Sequence, residues 1–432
     1  MAIRIQRCDN FAYTEVINKY LFENKGNAFF DHSFPDINLR LAVFTNHPCT
    51  VGCSRVTFFL PTVNGDEATA KAPPTRVLRV AYFCPSDRQP HAGYEVRLLG
   101  VTRNIQTFYR NGMKANGFGP TTFPLDMKGD GSLRIIMVNG QQPTSADDRS
   151  LRDAKTRIRN EVKEAFAAEG LDFDQEVVLV FQALLVAEPG KTTEVGPFIG
   201  GGNWYKGSAL VYDDPRLDAR LLASTSPDGM SASGKTLGDF NSGYIGGAAH
   251  ELGHAFGLGH DAENEPTRNR VGRSLMGRGN HDYGEELRGK SRGAFLSAAS
   301  AFPLSLHPLF TQSVDHGEDA DFGIENLSAK FTRGVLRVSG TASGNQTVVG
   351  AVAFNDPSQD PSDYDAIGYA SKVDQRGRFN FTIPVAVPDT YELRFRIYGE
   401  QGQATRLAYK YAIDRNGRYS GLTAATADES GE

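Results

Sequence analysis

One stretch of twelve residues decides how the fold of this 432-residue chain is interpreted: His250-Glu251-Leu252-Gly253-His254-Ala255-Phe256-Gly257-Leu258-Gly259-His260-Asp261. His250 and His254 stand at i and i+4, so on a helix both imidazoles leave the same face and can bind one metal ion without backbone strain. The chain has nine histidines in all, and three of them fall within this stretch. The clustering predicts a metal site formed by His250, His254 and His260.

The other residues of the stretch fit the chemistry of such a site. A continued helix would carry His260 away from the metal, but Gly257 lets the chain leave the helix in a left-handed conformation and swing back. Zinc bound by three neutral imidazoles keeps an open coordination position and lowers the pKa of a bound water to about 7. Glu251 would accept the proton of that water as it attacks a carbonyl, and then pass it to the leaving nitrogen.

The complete pattern is more informative than its first half. H-E-x-x-H alone also occurs by accident on surface helices, and a buried histidine is often only part of a core. The third histidine, with a glycine at the turn, resembles the signature of the metzincin clan of zinc endopeptidases, H-E-x-x-H-x-x-G-x-x-H, here followed by Asp261.

The resemblance implies roles for two further residues. Metzincins carry a methionine in a tight turn beneath the metal, and Met276, sixteen residues after His260, fits that place. Met276 would be a hydrophobic floor for the imidazoles rather than a ligand. Asp261 would anchor the active-site turn through hydrogen bonds. Some members have a tyrosine ligand two residues after the methionine, but Arg278 stands there, so no fifth ligand is assigned.

The resemblance also implies a fold and a way of binding substrate. It implies a twisted mixed sheet, two long helices before or at the active site, a cleft across the domain and a further helix after the methionine turn. An edge strand above the cleft would pair with extended substrate, and Gly196–Tyr212 is the best candidate for it. Ser208–Tyr212 is the expected strand there, and Trp204 is expected to be a packed aromatic more than a substrate contact.

Strand and helix patterns agree with an α/β catalytic domain. Strand candidates Arg76–Cys84, Ser132–Asn139 and Glu176–Ala187 alternate with amphipathic helices that start near Tyr94 and Leu151, which predicts a sheet that is at least partly parallel. Helices are also expected at 243–258 and 288–301. The predicted organisation is a small β-rich region at 1–74, the zinc peptidase domain at 75–315, an all-β domain at 322–416 and a flexible tail at 417–432.

From about residue 322 the pattern changes to strict alternation of apolar and polar residues. Tyr391, Leu393, Phe395 and Ile397 share one face of such a segment, and the residues between them are charged. About six or seven short strands predict an immunoglobulin-like β-sandwich. This sandwich could bind a surface, a glycan or a protein ligand, or simply stabilise the catalytic domain.

Composition excludes several classes of protein. The chain has 22% charged and 40% hydrophobic residues and a net charge of −5, which argues against wholesale disorder and against nucleic acid as a partner. Its longest apolar run, Val177–Ala187, is too short to span a bilayer. The N-terminus carries no apolar signal region. A secreted or cell-surface location is therefore expected only from the resemblance.

The cysteines and acidic loops leave alternatives open. Cys8, Cys49, Cys53 and Cys84 allow disulfides or buried thiols, and Cys49-x-x-x-Cys53 could, less well, be half of a zinc site. Asp126–Gly131 reads as a β-turn in preference to a calcium loop. Asp356–Asp365 reads as a solvated acidic loop, with a Ca²⁺ site as the alternative. No nucleophilic-serine or phosphate-binding motif is present.

Three functional hypotheses follow from these residues. The first is a zinc-dependent endopeptidase that cleaves polypeptides with a metal-activated water and Glu251 as general base and acid. The second is a binding or adhesion module whose zinc site is structural, although such a site does not need Glu251. The third is a metal hydrolase of a non-peptide amide, which would use the same chemistry.

Overall fold

Alternating apolar strands and amphipathic helices fold into a mixed α/β part, which is followed by a β-rich C-terminal part. The computed structural model describes residues 76–146, 151–188, 191–230, 234–357, 363–385 and 388–425. The predicted β-rich region 1–74 and Cys8, Cys49 and Cys53 lie outside these residues. In the part of the chain described, no helix has the length and apolar character needed to cross a bilayer.

The α/β part contains nine strands and seven helices among the described residues. The strands are β1 (Arg79–Cys84), β2 (Ile135–Asn139), β3 (Val177–Gln182), β4 (Leu185–Glu188), β5 (Lys191–Glu194), β6 (Ile199–Gly202), β7 (Gly207–Tyr212), β8 (Arg273–Ser274) and β9 (Ala294–Phe295). The helices are α1 (Tyr94–Ala115), α2 (Leu151–Ala168), α3 (Leu237–Ala255), α4 (Glu265–Val271), α5 (Asn280–Asp282), α6 (Ala298–Leu304) and α7 (Pro308–Thr311). Short 3₁₀ turns lie at Thr144–Ala146, Phe173–Gln175, Ala219–Leu221 and Glu285–Arg288.

The main sheet has the strand order β2-β1-β3-β7-β6. The first four strands are parallel and β6 is antiparallel to β7, so the predicted partly parallel sheet is confirmed. Strand β3 is buried along its whole length, as its continuous apolar sequence requires in the middle of a covered sheet. The sequence predicts Ser208–Tyr212 as an edge strand, but this segment lies in β7, between β3 and β6. The strand at this end of the described sheet is β6, Ile199–Gly202.

Two other predicted elements also differ from the structure. The single strand expected over 176–187 ends at Gln182, and the chain then forms the hairpin β4–β5. The helix expected over 288–301 is instead a 3₁₀ turn, the strand β9 and the helix α6. Gly289 and Gly293 have φ values of 67° and 78°, so the chain leaves the helical region twice within that span.

The edge of the sheet lies unusually close to helix α3, and glycines make this approach possible. A Cβ atom added to Gly200 would lie 1.9 Å from the carbonyl oxygen of Glu251, and one added to Gly202 would lie 2.2 Å from that of Ala255. At Gly207 the corresponding distance to the Ala255 oxygen is 2.1 Å. The glycine-rich segment is therefore a packing surface against the helix that carries the candidate ligands.

The C-terminal part is a β-sandwich. Its eight described strands are β10 (Phe322–Thr332), β11 (Val335–Gly344), β12 (Val348–Pro357), β13 (Ile367–Lys372), β14 (Arg378–Pro384), β15 (Asp389–Gly399), β16 (Ala404–Ile413) and β17 (Thr423–Ala425). They form the sheets β10-β11-β14 and β13-β12-β15-β16-β17. Inward-facing residues of both sheets, such as Phe381 and Phe395, share one core. Part of the predicted tail, β17, pairs with β16.

A third, smaller core joins the sandwich to the α/β part. Ala299 and Phe302 of α6 pack there against Val352, Phe354 and, from β15, Tyr398. The ring centroids of Phe302 and Tyr398 are 5.8 Å apart in an edge-to-face arrangement. The two parts therefore share buried apolar surface.

The close approach of β6 to α3 gives a testable prediction with a control on the same strand. Gly202→Ala should lower the free energy of unfolding by about 1–3 kcal/mol, because the new methyl group has no room beside the Ala255 oxygen. A Cβ at Gly201 meets nothing within 4 Å. Gly201→Ala should therefore leave stability unchanged or slightly raised, and urea unfolding of both variants measures the difference. Equal stabilities would contradict the packing described.

Candidate metal centre

The candidate centre is built on the last two turns of helix α3. Thr236 and Asp239 form a reciprocal capping box at its N-terminus, and His250 and His254 lie one turn apart near its C-terminus. The Nε2 atoms of these two histidines are 3.0 Å apart. The Nε2 atoms of His254 and His260 are 3.1 Å apart. All three predicted ligands therefore meet at one point.

Gly257 produces the turn that returns His260 to the helix. Its φ is 78°, its N–H donates to the His254 carbonyl at 2.9 Å, and the next N–H, of Leu258, donates to the Gly253 carbonyl at 3.0 Å. These two bonds form a Schellman motif, which ends a helix with a residue in the left-handed region. A Cβ at Gly257 would also lie 2.9 Å from the Asn203 backbone. Glycine is required here for conformation and for space.

Hydrogen bonds to the Nδ1 atoms fix which ring nitrogens face one another. His250 Nδ1 is 2.8 Å from the Leu275 carbonyl, and His254 Nδ1 is 3.0 Å from the Leu258 carbonyl. Carbonyl oxygens only accept, so both Nδ1 atoms carry the proton and both Nε2 atoms present a lone pair. Burial and the neighbouring His254 lower the pKa of His250 to about 3, which favours the neutral form that binds metals.

The donor set fits a zinc ion. Neutral imidazole nitrogens are zinc ligands, and at a bond length of about 2.0–2.1 Å two of them on a tetrahedral ion lie about 3.3 Å apart. The observed separations of 3.0 and 3.1 Å are close to that value. Among the described residues, this is the one group of three or more His, Cys, Asp or Glu side chains that could hold a metal ion.

Glu251 lies beside the cluster at the edge strand. Its Oε2 accepts a hydrogen bond of 2.6 Å from the Gly200 N–H, which points away from β7. Burial raises the pKa of Glu251 to about 7, and the hydrogen bond from the Gly200 N–H and the proximity of His260 and Lys155 oppose that rise. A carboxyl group with such a pKa can accept and release a proton near neutral pH.

Met276 and Asp261 are buried close to the segments that carry the three histidines. Met276 is fully buried in the kinked turn Leu275–Gly279. Its sulfur would lie 2.3 Å from a Cβ added to Gly253, which stands between His250 and His254 in the sequence. The carboxylate of Asp261 is also fully buried and accepts hydrogen bonds from Ser274, Ser297 and, at 3.0 Å, Ser300. Burial raises its pKa, and the three hydroxyls oppose the rise. Asp261 thereby ties the turn after His260 to β8 and α6.

Two residues near the centre were not among the predicted site residues. Asp363 and Tyr364 belong to the acidic segment between β12 and β13, for which the sequence predicts a solvated loop or, as the alternative, a calcium site. The Asp363 carboxylate lies 2.5 Å from His260 Nδ1, and the Tyr364 ring stacks on His260. The contact spans 103 positions, so no local signal in the sequence links the two segments.

Other sequence-based expectations have simpler outcomes. The loop Asp126–Gly131 is a turn in which Asp130 accepts from Ser132, and Asp126 pairs with Arg79. Trp204 packs edge-to-face on Tyr205, and its indole N–H donates to the His316 carbonyl. Cys84 is a buried thiol in β1.

Comparisons with known proteins give a fold relationship. No protein-family model matches the sequence, and no curated protein matches it at a significant level. The solved structure of wild-type OgpA from Akkermansia muciniphila is similar, with a TM-score of 0.67 and 22% identity, over 81% of this chain and 96% of that chain. Catalytically inactive OgpA in complex with an O-glycopeptide substrate, glycodrosocin, has the same TM-score and identity over 81% of this chain and 95% of that chain. At 22% identity, the likeness establishes the fold alone.

The three-imidazole cluster predicts stoichiometric zinc binding. Purified wild-type protein should hold one zinc ion per chain after dialysis, and His254→Ala should lose it because the remaining nitrogens no longer enclose the ion. His281→Ala, which removes an exposed imidazole outside the cluster, is the matched control and should retain zinc. Elemental analysis of the dialysed proteins measures the result. Zinc retention by the His254 variant would contradict the assignment.

Proposed function

We propose that the protein is a zinc-dependent endopeptidase of the metzincin type. The observation that carries the proposal is the convergence of the Nε2 atoms of His250, His254 and His260 beside Glu251, whose carboxylate also contacts the edge strand. A structural zinc site is normally closed by four protein ligands, whereas a three-ligand site keeps a position open for chemistry. A partly buried carboxylate on the residue next to a candidate ligand favours hydrolysis over simple binding.

Zinc, when bound, would polarise the scissile carbonyl and make water a nucleophile near neutral pH. The protein would supply the proton transfers. Glu251 would accept a proton at its carboxylate as water attacks and deliver it to the leaving amide nitrogen. The Gly200 N–H would keep the carboxylate aimed at the reacting atoms, and Met276 and Asp261 would keep the imidazoles and the turn in place.

The edge strand gives the proposed enzyme a way to hold polypeptide. Among the strands that the structure describes, β6 pairs only with β7, and an extended peptide would pair along its other side. The Gly200 N–H on that side already reaches Glu251. A substrate that pairs along β6 would therefore have its backbone next to the base. Because β6 consists of Ile199 and three glycines, recognition there would depend mainly on backbone hydrogen bonds.

The substrate class is the second part of the proposal. OgpA, which shares the fold, has been solved with an O-glycopeptide, so O-glycosylated peptides are the first class to test. An extracellular location belongs to the same proposal, since the metzincin resemblance implies it. A surface, glycan or protein ligand for the sandwich remains a prediction.

Replacement of the base tests the mechanism. Glu251→Gln should bind zinc like the wild type but lose about 10²–10⁴-fold in kcat, because the amide cannot accept the proton. Its shape still allows the contact with Gly200, and Glu251→Ala should lose at least as much activity. Peptide cleavage is followed by mass spectrometry on an O-glycopeptide and on the same peptide without its glycan.

A chelator and zinc restoration are the controls for this experiment. Wild-type activity should disappear with the chelator and return with zinc. Cleavage by zinc-loaded Glu251→Gln at the wild-type rate would contradict the mechanism. Cleavage of neither peptide by zinc-loaded wild type would favour the binding-module hypothesis.

A further inference from the structure

His260 differs from the other two ligands in what holds it. His250 and His254 are fixed by the rigid geometry of helix α3, whereas His260 follows the helix end by five residues. Its Nδ1 partner is also different: the other two imidazoles donate to carbonyls of neighbouring turns, but His260 donates to a side chain of the sandwich. The position of this ligand therefore depends on tertiary contacts.

The sandwich contacts the turn that carries His260, residues 257–262, through the Arg396 side chain and through the backbone of Ala366. Arg396 Nη1 donates to the Gly257 carbonyl at 2.7 Å, and a Cβ at Gly259 would lie 2.6 Å from the same guanidinium. On the other side of His260, the Ala262 N–H donates to the Ala366 carbonyl at 2.6 Å. The turn is thus attached to the sandwich on both sides of the ligand.

Asp363 makes the direct contact to His260. Its Oδ1 lies 2.5 Å from Nδ1, and its other oxygen lies 3.4 Å from Arg394 Nη1 on β15. Arg394 also pairs with Asp356 at 3.0 Å, so the carboxylate is held from the sandwich side. The φ of Asp363 is 52°, in the left-handed region that few residues other than glycine occupy. Such a conformation costs energy and is often retained where a side chain has a task.

Tyr364 covers the same imidazole from one face. Its ring centroid is 3.9 Å from that of His260 with an interplanar angle of 28°, and it lies 6.1 Å from His250 at an angle of 8°. An aromatic ring stacked at this distance prevents the His260 ring from turning about its χ2 bond. The hydrogen bond fixes one edge of the imidazole and the stacking fixes its plane.

We propose that Asp363 and Tyr364 are positioning residues for the metal ligand His260, and that the sandwich is thereby part of the metal centre. The inference rests on the proposed zinc-dependent function. A carboxylate that accepts from Nδ1 holds the tautomer with its lone pair on Nε2, orients the ring and makes Nε2 a better donor to the metal. Loss of such a partner typically costs 10–100-fold in metal affinity.

The test compares variants chosen for the left-handed backbone at position 363. Asp363→Gly removes the carboxylate without straining the backbone, and Asp363→Asn keeps the shape and an accepting oxygen but not the charge. The exposed Asp365 lies two positions further on, and Asp365→Asn is the matched control. Tyr364→Phe keeps the stacked ring, whereas Tyr364→Ala removes it.

The measurement is the zinc dissociation constant by competition with a chromophoric chelator, together with the visible spectrum of the Co²⁺-substituted protein. We expect zinc affinity to fall 10–100-fold in Asp363→Gly, less in Asp363→Asn, and not at all in Asp365→Asn or Tyr364→Phe. Tyr364→Ala should weaken zinc binding and alter the Co²⁺ spectrum, because the ligand geometry changes. The melting temperature of the zinc-free proteins should stay near that of the wild type.

The outcomes separate this inference from the proposed function. Zinc affinities within twofold of the wild type in Asp363→Gly and Tyr364→Ala, with an unchanged Co²⁺ spectrum, would overturn the positioning role while the peptidase proposal stands. A wild-type protein that binds zinc weakly or not at all would instead contradict the proposed function. Weaker zinc binding that is matched by a lower zinc-free melting temperature in every variant would assign these residues to stability alone and would also overturn the role.

Discussion

The arrangement around the candidate centre follows from one electrostatic constraint: three imidazole lone pairs point at the same small volume. Lone pairs 3.0–3.1 Å apart repel one another, and a cation between them turns that repulsion into coordination. For this to hold, each ring must keep its proton on Nδ1. The three acceptors that impose this come from three places in the chain: the Met276 turn, the end of helix α3 and the sandwich. The centre is therefore a meeting point of distant segments.

Close backbone packing brings the carboxylate of Glu251 to the same region. Helix α3 and strand β6 approach so closely that side chains are excluded at Gly200 and Gly202. The same approach lets the Gly200 N–H reach the Glu251 carboxylate. The glycines therefore allow a close approach that brings the edge strand, Glu251 and the candidate ligands together.

The sandwich makes more intimate contacts with the α/β part than a domain joined only by a linker would make. It shares a small apolar core with helix α6, and its residues Arg396, Ala366, Asp363 and Tyr364 all contact the turn that carries His260. Two carboxylates of the acidic loop for which a calcium site was the alternative, Asp356 and Asp363, pair with Arg394 and His260 instead. The negative charges of these carboxylates therefore form contacts within the protein.

The sequence by itself determined the local features. Three short-range patterns could be interpreted from the periodicity of a helix or a strand. They are the i, i+4 spacing of His250 and His254, the break at Gly257 and the continuous apolar run of β3. The tertiary structure decided what depends on non-local packing: that Ile199–Gly202 and not Ser208–Tyr212 forms the edge, that Asp261 is satisfied by three serines, and that Asp363 reaches His260 across 103 positions. Such contacts form only when separate parts of the chain pack together. The residues that flank a loop carboxylate in the sequence do not indicate which imidazole it will contact.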